Sequence, residues 1–148
     1  DDGVTWPEDF LEKYKERQKC FIKQYYKPEV IEIIESRKLP FGYITYEDVA
    51  DNLGITVAYR TYDKYIKEHG EELRLPGLDF NSRQMFFIGY AQNWCQTKEA
   101  SKQKQGMHAP MRKRVEIPLM NLPEFSEVFY CPRNECFMNP NHKCRMFG

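Results

Sequence analysis

Long apolar runs are missing: no window of the 148 residues approaches the ~20 consecutive hydrophobic positions that a membrane-spanning helix needs. Charge of one sign is missing too. Lys+Arg 22 balance Asp+Glu 22, which leaves no basic excess for neutralising phosphates and argues against a dedicated nucleic-acid binder. Histidine is scarce, with only His69, His108 and His142. None stands in an H-E-x-x-H pattern, so the pair of imidazoles that clamps zinc on one helix turn is absent. Gly/Ser linkers, repeats and low-complexity tracts are absent, and residues 1–148 read as a single unit. Asn-x-Ser/Thr sequons are also lacking. The opening Asp1-Asp2-Gly3 is neither a cationic leader nor an initiator Met, so we expect a mature or excised piece with any targeting segment outside it.

What the chain does have is aromatics and cysteine. Five cysteines (Cys20, Cys95, Cys131, Cys136, Cys144) are many for a reduced compartment and favour an extracellular one. The odd count leaves at least one thiol free or paired outside the chain. Phe10, Leu11, Tyr14, Phe21 and Tyr25 recur near helical spacing after Pro7, predicting an amphipathic helix from Pro7 to about Tyr26. Pro28 starts a short second helix. Thr45 followed by Asp48 resembles a capping box, opening the longest helix, which His69-Gly70 closes. Arg74 to Asp79 is a turn. Asn81 or Ser82 caps a helix through Trp94 that is apolar on nearly all sides and expected to be buried. It fades over Gln96 to Gly106. A strand over Arg114–Ile117, a short helix around Phe125–Tyr130 and an irregular tail follow. The fold class is mainly α.

Glu47 and Asp51, four apart, put two carboxylates on one helix face, where like charges repel unless something positive lies opposite. A solvated first turn at the positive end of the helix dipole accounts for them equally well. Ala50, Gly54 and Ala58 predict close packing on this helix. His108 precedes the basic run Arg112-Lys113-Arg114 and can donate to an oxyanion, or is a plain loop histidine. In the tail, Cys131, Cys136, His142 and Cys144 could hold tetrahedral zinc. Their C-x₄-C-x₅-H-x-C spacing lacks a C-x₂-C knuckle, and disulfide bonding is the simpler reading.

Read in order, these pieces resemble the C-terminal part of the neprilysin and endothelin-converting-enzyme family of zinc metalloendopeptidases. The residues that carry the resemblance are YEDVADNLGITVAYRTY at Tyr46–Tyr62, HGEELRLPGL at His69–Leu78, Phe86-Phe87 with Ala91-Gln92-Asn93-Trp94-Cys95, and His108-Ala109-Pro110 with Arg114-Val115. Glu124-Phe125-Ser126-Glu127, Cys131-Pro132, Met138-Asn139-Pro140 and Lys143-Cys144-Arg145 continue it. The resemblance implies the C-terminal portion of a thermolysin-like (zincin) catalytic domain, a helical bundle with a disulfide-stapled tail. It implies zinc as cofactor, Glu47 as the third metal ligand, and Asp51 hydrogen-bonded to a zinc-binding histidine. It further implies His108 as stabiliser of the oxyanion, Arg114 as holder of a substrate carbonyl, and Trp94 beside the pocket for the substrate side chain. Cys20 would pair with Cys144, while Cys95 and Cys131 would link to an N-terminal part of the parent enzyme.

The helix with H-E-x-x-H, which brings two histidines and the general base, lies outside these residues. Asp48 and Leu53 replace the family's Asn and first Gly, and Gly106 replaces an acid two residues before His108. Cys136 is additional to the pattern. Alone, the chain is expected to be inactive. A non-catalytic secreted interaction module is the alternative to part of a secreted, or type II membrane, peptidase acting on peptides.

Overall fold

The computed structural model describes residues 6–36, 41–97 and 108–147, without side chains for 33–36 and 41–45. Six helices and no strand occur among the described residues: α1 Glu8–Tyr25, α2 Pro28–Ser36, α3 Phe41–His69, α4 Ser82–Gln92, α5 Met111–Asn121 and α6 Pro123–Val128. The expected fading of α4 over 98–106, together with Gly106 itself, lies outside the described residues.

Helix α3, 29 residues long, is the spine, packed against both α1 and α5. Its buried positions Val49, Asn52, Ile55 and Tyr59 fall three or four apart and Ile66 seven beyond, the spacing that places side chains on one helix face, with Asp48 beside Val49 at its edge. That face meets two apolar clusters. One gathers Phe21, Tyr25, Val49, Ala109, Ile117, Cys144 and Met146. The other gathers Ile55, Tyr59, Phe87, Leu119 and Leu122. The helix ends where Gly70 adopts φ +88°, its N–H bonded to the Ile66 carbonyl at 2.8 Å. Leu78 N–H reaches the Leu75 carbonyl at 3.2 Å across Gly77 at φ +78°, which forms the expected turn.

Four local expectations are corrected. Helix α3 starts at Phe41, so Thr45 lies inside it and not at its start, and Asp48 is buried beneath Tyr26. Arg114–Ile117 is helical: four alternating residues are too few to outweigh the turn set up by Pro110, whose carbonyl accepts from Lys113 and Arg114. Ala50, Gly54 and Ala58 are exposed, and a Cβ added at Gly54 would meet nothing within 4 Å. Helix α4 buries only Ser82 and Phe87, the remainder lying half-exposed against α6. Its start does follow the reading, with Asn81 Oδ1 accepting from Gln84 N–H at 2.9 Å and Gln84 Oε1 from Asn81 N–H at 3.0 Å.

A buried amide network joins the helices. Asn121 Nδ2 donates to Gln24 Oε1 at 2.7 Å and Asn52 Oδ1 at 2.8 Å, while Asn121 Oδ1 accepts from Cys144 N–H at 2.8 Å. This seats the tail where Cys20 and Cys144 are disulfide-bonded, Cα atoms 5.7 Å apart across 124 positions of sequence. Tail zinc is thereby excluded. Among the described residues the one three-donor cluster is Cys20, His142 and Cys144, and its two sulfurs are bonded to each other. No helix among the described residues is long and apolar enough to cross a membrane.

Candidate functional site

One end of α3, the segment entering α5 and the residues just past α4 converge on a small group of polar side chains. Glu47 and Asp51, one turn apart on α3, have different surroundings. Glu47 is 44% exposed and stands 3.5 Å from His108 Nδ1, which is equally exposed. Asp51, only 10% exposed, accepts from Arg114 Nε at 2.6 Å and Nη2 at 2.7 Å. Such a two-point fork is the strongest form of carboxylate–guanidinium pairing and fixes the plane of the arginine. It raises the Arg114 pKa, with Glu47 adding to the effect from farther off.

The guanidinium is fixed on its flat face as well, with Cζ 4.1 Å from the centre of the Trp94 ring. Tyr90 on α4 donates to the Arg114 carbonyl at 2.7 Å, and its ring meets that of Trp94 edge-on in the turn just past α4. Lys113 Nζ donates to the Tyr25 carbonyl and ties this turn of α5 to the end of α1. Among the described residues, Arg114 Nη1 is the one edge of the fork without a protein partner. The arrangement therefore presents an exposed carboxylate, an imidazole beside it, and an oriented guanidinium edge behind them.

All five residues named for the site, Glu47, Asp51, Trp94, His108 and Arg114, come together here. The positive group opposite the two carboxylates is Arg114. Sequence reading missed the ion pair, the stacking of Arg114 on Trp94 and the role of Tyr90. Tyr90 and Trp94 four apart carry the signal for a shared helix face, but the partner that meets it is distant in sequence.

Asp48 lies beneath the site. It is 1% exposed and accepts from Tyr26 Oη at 3.0 Å. Burial pushes its carboxyl up to about 6, and Asp51 nearby adds to the rise. A carboxyl whose folded pKa exceeds its unfolded value penalises the fold when ionised. The penalty is absent below about pH 4, grows between pH 4 and 6, and is complete above. Asp48→Asn is expected to raise stability at pH 7.5 by about 3 kcal/mol, at roughly 1.4 kcal/mol per pK unit, and to change little at pH 4. Urea unfolding of both chains at the two pH values checks this; equal differences at both would refute it.

Similarity to known proteins places a chain with this fold and constellation among the metallopeptidase-related proteins. The chain belongs to peptidase family M13, whose family model matches residues 2–146. It is 38% identical to neprilysin of Oryctolagus cuniculus over 146 residues, covering 96% of this chain and 19% of the relative. Identity to endothelin-converting enzyme 1 of Mus musculus is 37%, covering 96% and 18%, and to neprilysin-11 of Caenorhabditis elegans 39%, covering 94% and 17%. The chain thus spans about a fifth of the length of these relatives.

Proposed function

We propose that residues 1–148 form the C-terminal part of the catalytic domain of a zinc endopeptidase that hydrolyses peptides. The observation carrying this reading is the exposed Glu47 carboxylate beside His108, backed by an arginine already oriented by Asp51. Glu47 suits a metal ligand: among the described residues its polar partner is His108 at 3.5 Å, leaving carboxylate oxygen available for coordination. Zinc, when bound, supplies Lewis acidity and an activated water. Glu47 would be one of three protein ligands, and two histidines would come from an upstream H-E-x-x-H segment.

The remaining roles follow from position. His108 donates to the oxygen that gains charge as the peptide carbonyl is attacked. Arg114 offers Nη1 to a substrate carbonyl while Asp51 and Trp94 hold its other edge and its face. Asp51 retains lone pairs beyond the two that Arg114 occupies and can also accept from a zinc-binding histidine. Trp94 borders the substrate side-chain pocket. The exposed face with Tyr46, Ala50, Gly54, Val57 and Ala58, next to Glu47, leaves room for a further helix to approach closely. We place the upstream helix there, and Cys95 and Cys131 remain available for links to cysteines near the start of the parent enzyme. The disulfide supports an extracellular setting.

The test is zinc content and peptidase activity of the chain alone and with the upstream H-E-x-x-H segment restored. Alone, no activity is expected. Restored, the protein should bind about one zinc, as a three-ligand site requires, and cleave peptides. Glu47→Gln should then lose most of the metal. Absence of zinc and activity in both forms would turn the reading to an interaction module that retains the family fold.

A further inference from the structure

The Cys20–Cys144 bond leaves Cys95, Cys131 and Cys136 as free thiols. Two of these, Cys131 and Cys136, stand at the ends of a loop closed by its own hydrogen bonds. Cys136 N–H donates to the Pro132 carbonyl at 3.2 Å, and Asn134 turns the chain with φ +64°, a conformation asparagine tolerates better than most residues. Asn139 then ties the ends together, its Nδ2 donating to the Cys131 carbonyl at 2.7 Å and its N–H to the Cys136 carbonyl at 2.8 Å. The loop so closed keeps Cys136 near enough to act on the Cys131 thiol. Burial and the neighbouring sulfur keep the Cys131 thiol protonated above its ordinary range.

Solvent reaches this pair. Cys131 lines an open cleft with Arg133, His142, Lys143 and Arg145. Three cationic side chains in that cleft, against the single carboxylate Glu127, favour approach of an anionic reagent over a neutral or cationic one.

We propose that Cys131 and Cys136 are a redox-active dithiol that closes into a local disulfide by exchange with a small anionic disulfide of the oxidised-glutathione type. The Cys136 thiolate attacks one sulfur of the reagent, forming a mixed disulfide and expelling one thiolate, which takes up a proton. Cys131 gives its proton to solvent and attacks Cys136 Sγ, forming the intrachain S–S bond and expelling the second thiol. Two protein thiols are oxidised by two electrons, and one reagent disulfide is reduced to two thiols. Because Cys136 is additional to the family pattern, Cys131 has a partner five residues away that competes with any link to an upstream segment. This inference does not depend on the peptidase reading, since it concerns thiol chemistry that neither zinc nor Glu47 enters.

Peptide mapping tests it on the 148-residue chain. Trypsin cuts after Arg114, Arg133 and Lys143, separating Cys131 in residues 115–133 from Cys136 in 134–143. After incubation with oxidised glutathione at neutral pH and alkylation, the non-reduced digest should contain these two peptides cross-linked. The cross-linked mass should be roughly 2 Da, two hydrogens, below the sum of the reduced masses. Cys136→Ser should abolish that product and leave Cys131 as a glutathione mixed disulfide, while the bridged Cys20 and Cys144 peptides report that the variant still folds. Recovery of 115–133 and 134–143 as separate alkylated peptides would overturn the proposal. So would Cys131 joined to the Cys95 peptide, residues 84–98.

Discussion

Cys144→Ser is expected to lower the unfolding free energy of the oxidised chain by about 4–5 kcal/mol, the largest effect of any single substitution considered. The bond joins α1 to the tail across 124 positions of sequence, and a loop of roughly 100 residues corresponds to about 4.7 kcal/mol on the chain-entropy account. Packing adds to it. Cys144 is buried in the cluster with Phe21, Tyr25 and Met146, and its N–H is held by Asn121. Urea unfolding with and without a thiol reductant measures the effect. The serine variant should be insensitive to reductant and match the reduced parent to within about 1 kcal/mol, the allowance left for the buried sulfur itself. A parent whose midpoint does not move on reduction would refute the prediction.

Breaking the Asp51–Arg114 pair comes second. Arg114→Ala is expected to cost about 3–5 kcal/mol, because it leaves a nearly buried carboxylate without its counter-charge. Loss of the guanidinium from the face of Trp94 contributes about 0.5–2 kcal/mol of this. Asp51→Asn should cost less, since the amide oxygen can still accept one of the two donors. Removing both charges, as Asp51→Leu with Arg114→Met, should be far milder than Arg114→Ala alone, because two desolvation penalties vanish together with the attraction. A double-mutant cycle by denaturant unfolding reads the coupling directly. A coupling below about 0.5 kcal/mol would put the pair in the class of surface bridges and contradict the burial seen here. Since Arg114→Ala perturbs the fold, its role toward substrate is better tested with Arg114→Lys. Lysine keeps the charge but loses the planar fork, so in the zinc-restored protein KM should rise more than kcat falls if Nη1 binds substrate in the ground state.

Most of the helices were legible because their signals are local. Pro7 and Pro28 start α1 and α2, Asn81 caps α4, and Gly70 closes α3 in a conformation that favours glycine. The failures share a cause. Arg114–Ile117 alternates as a strand would, yet each of its apolar residues finds a core partner only when the segment coils beside α3. Ala50, Gly54 and Ala58 have the composition of a packed face, but none of the described residues covers them.

Residue order by itself determined a mainly helical chain, a carboxylate pair one turn apart on its longest helix, and, through motif resemblance, a family. Those depend on spacing along the backbone, which the 3.6-residue helical repeat converts directly into shared faces. Only tertiary structure decided that Glu47 meets His108 while Asp51 is engaged by Arg114, and that Asp48 is buried beneath them. Only the folded tail closes the loop between Cys131 and Cys136 and bonds Cys144 to Cys20. Each of these depends on what surrounds a side chain. Two carboxylates one turn apart come to different surroundings because one faces water and the other is paired with a nearly buried arginine.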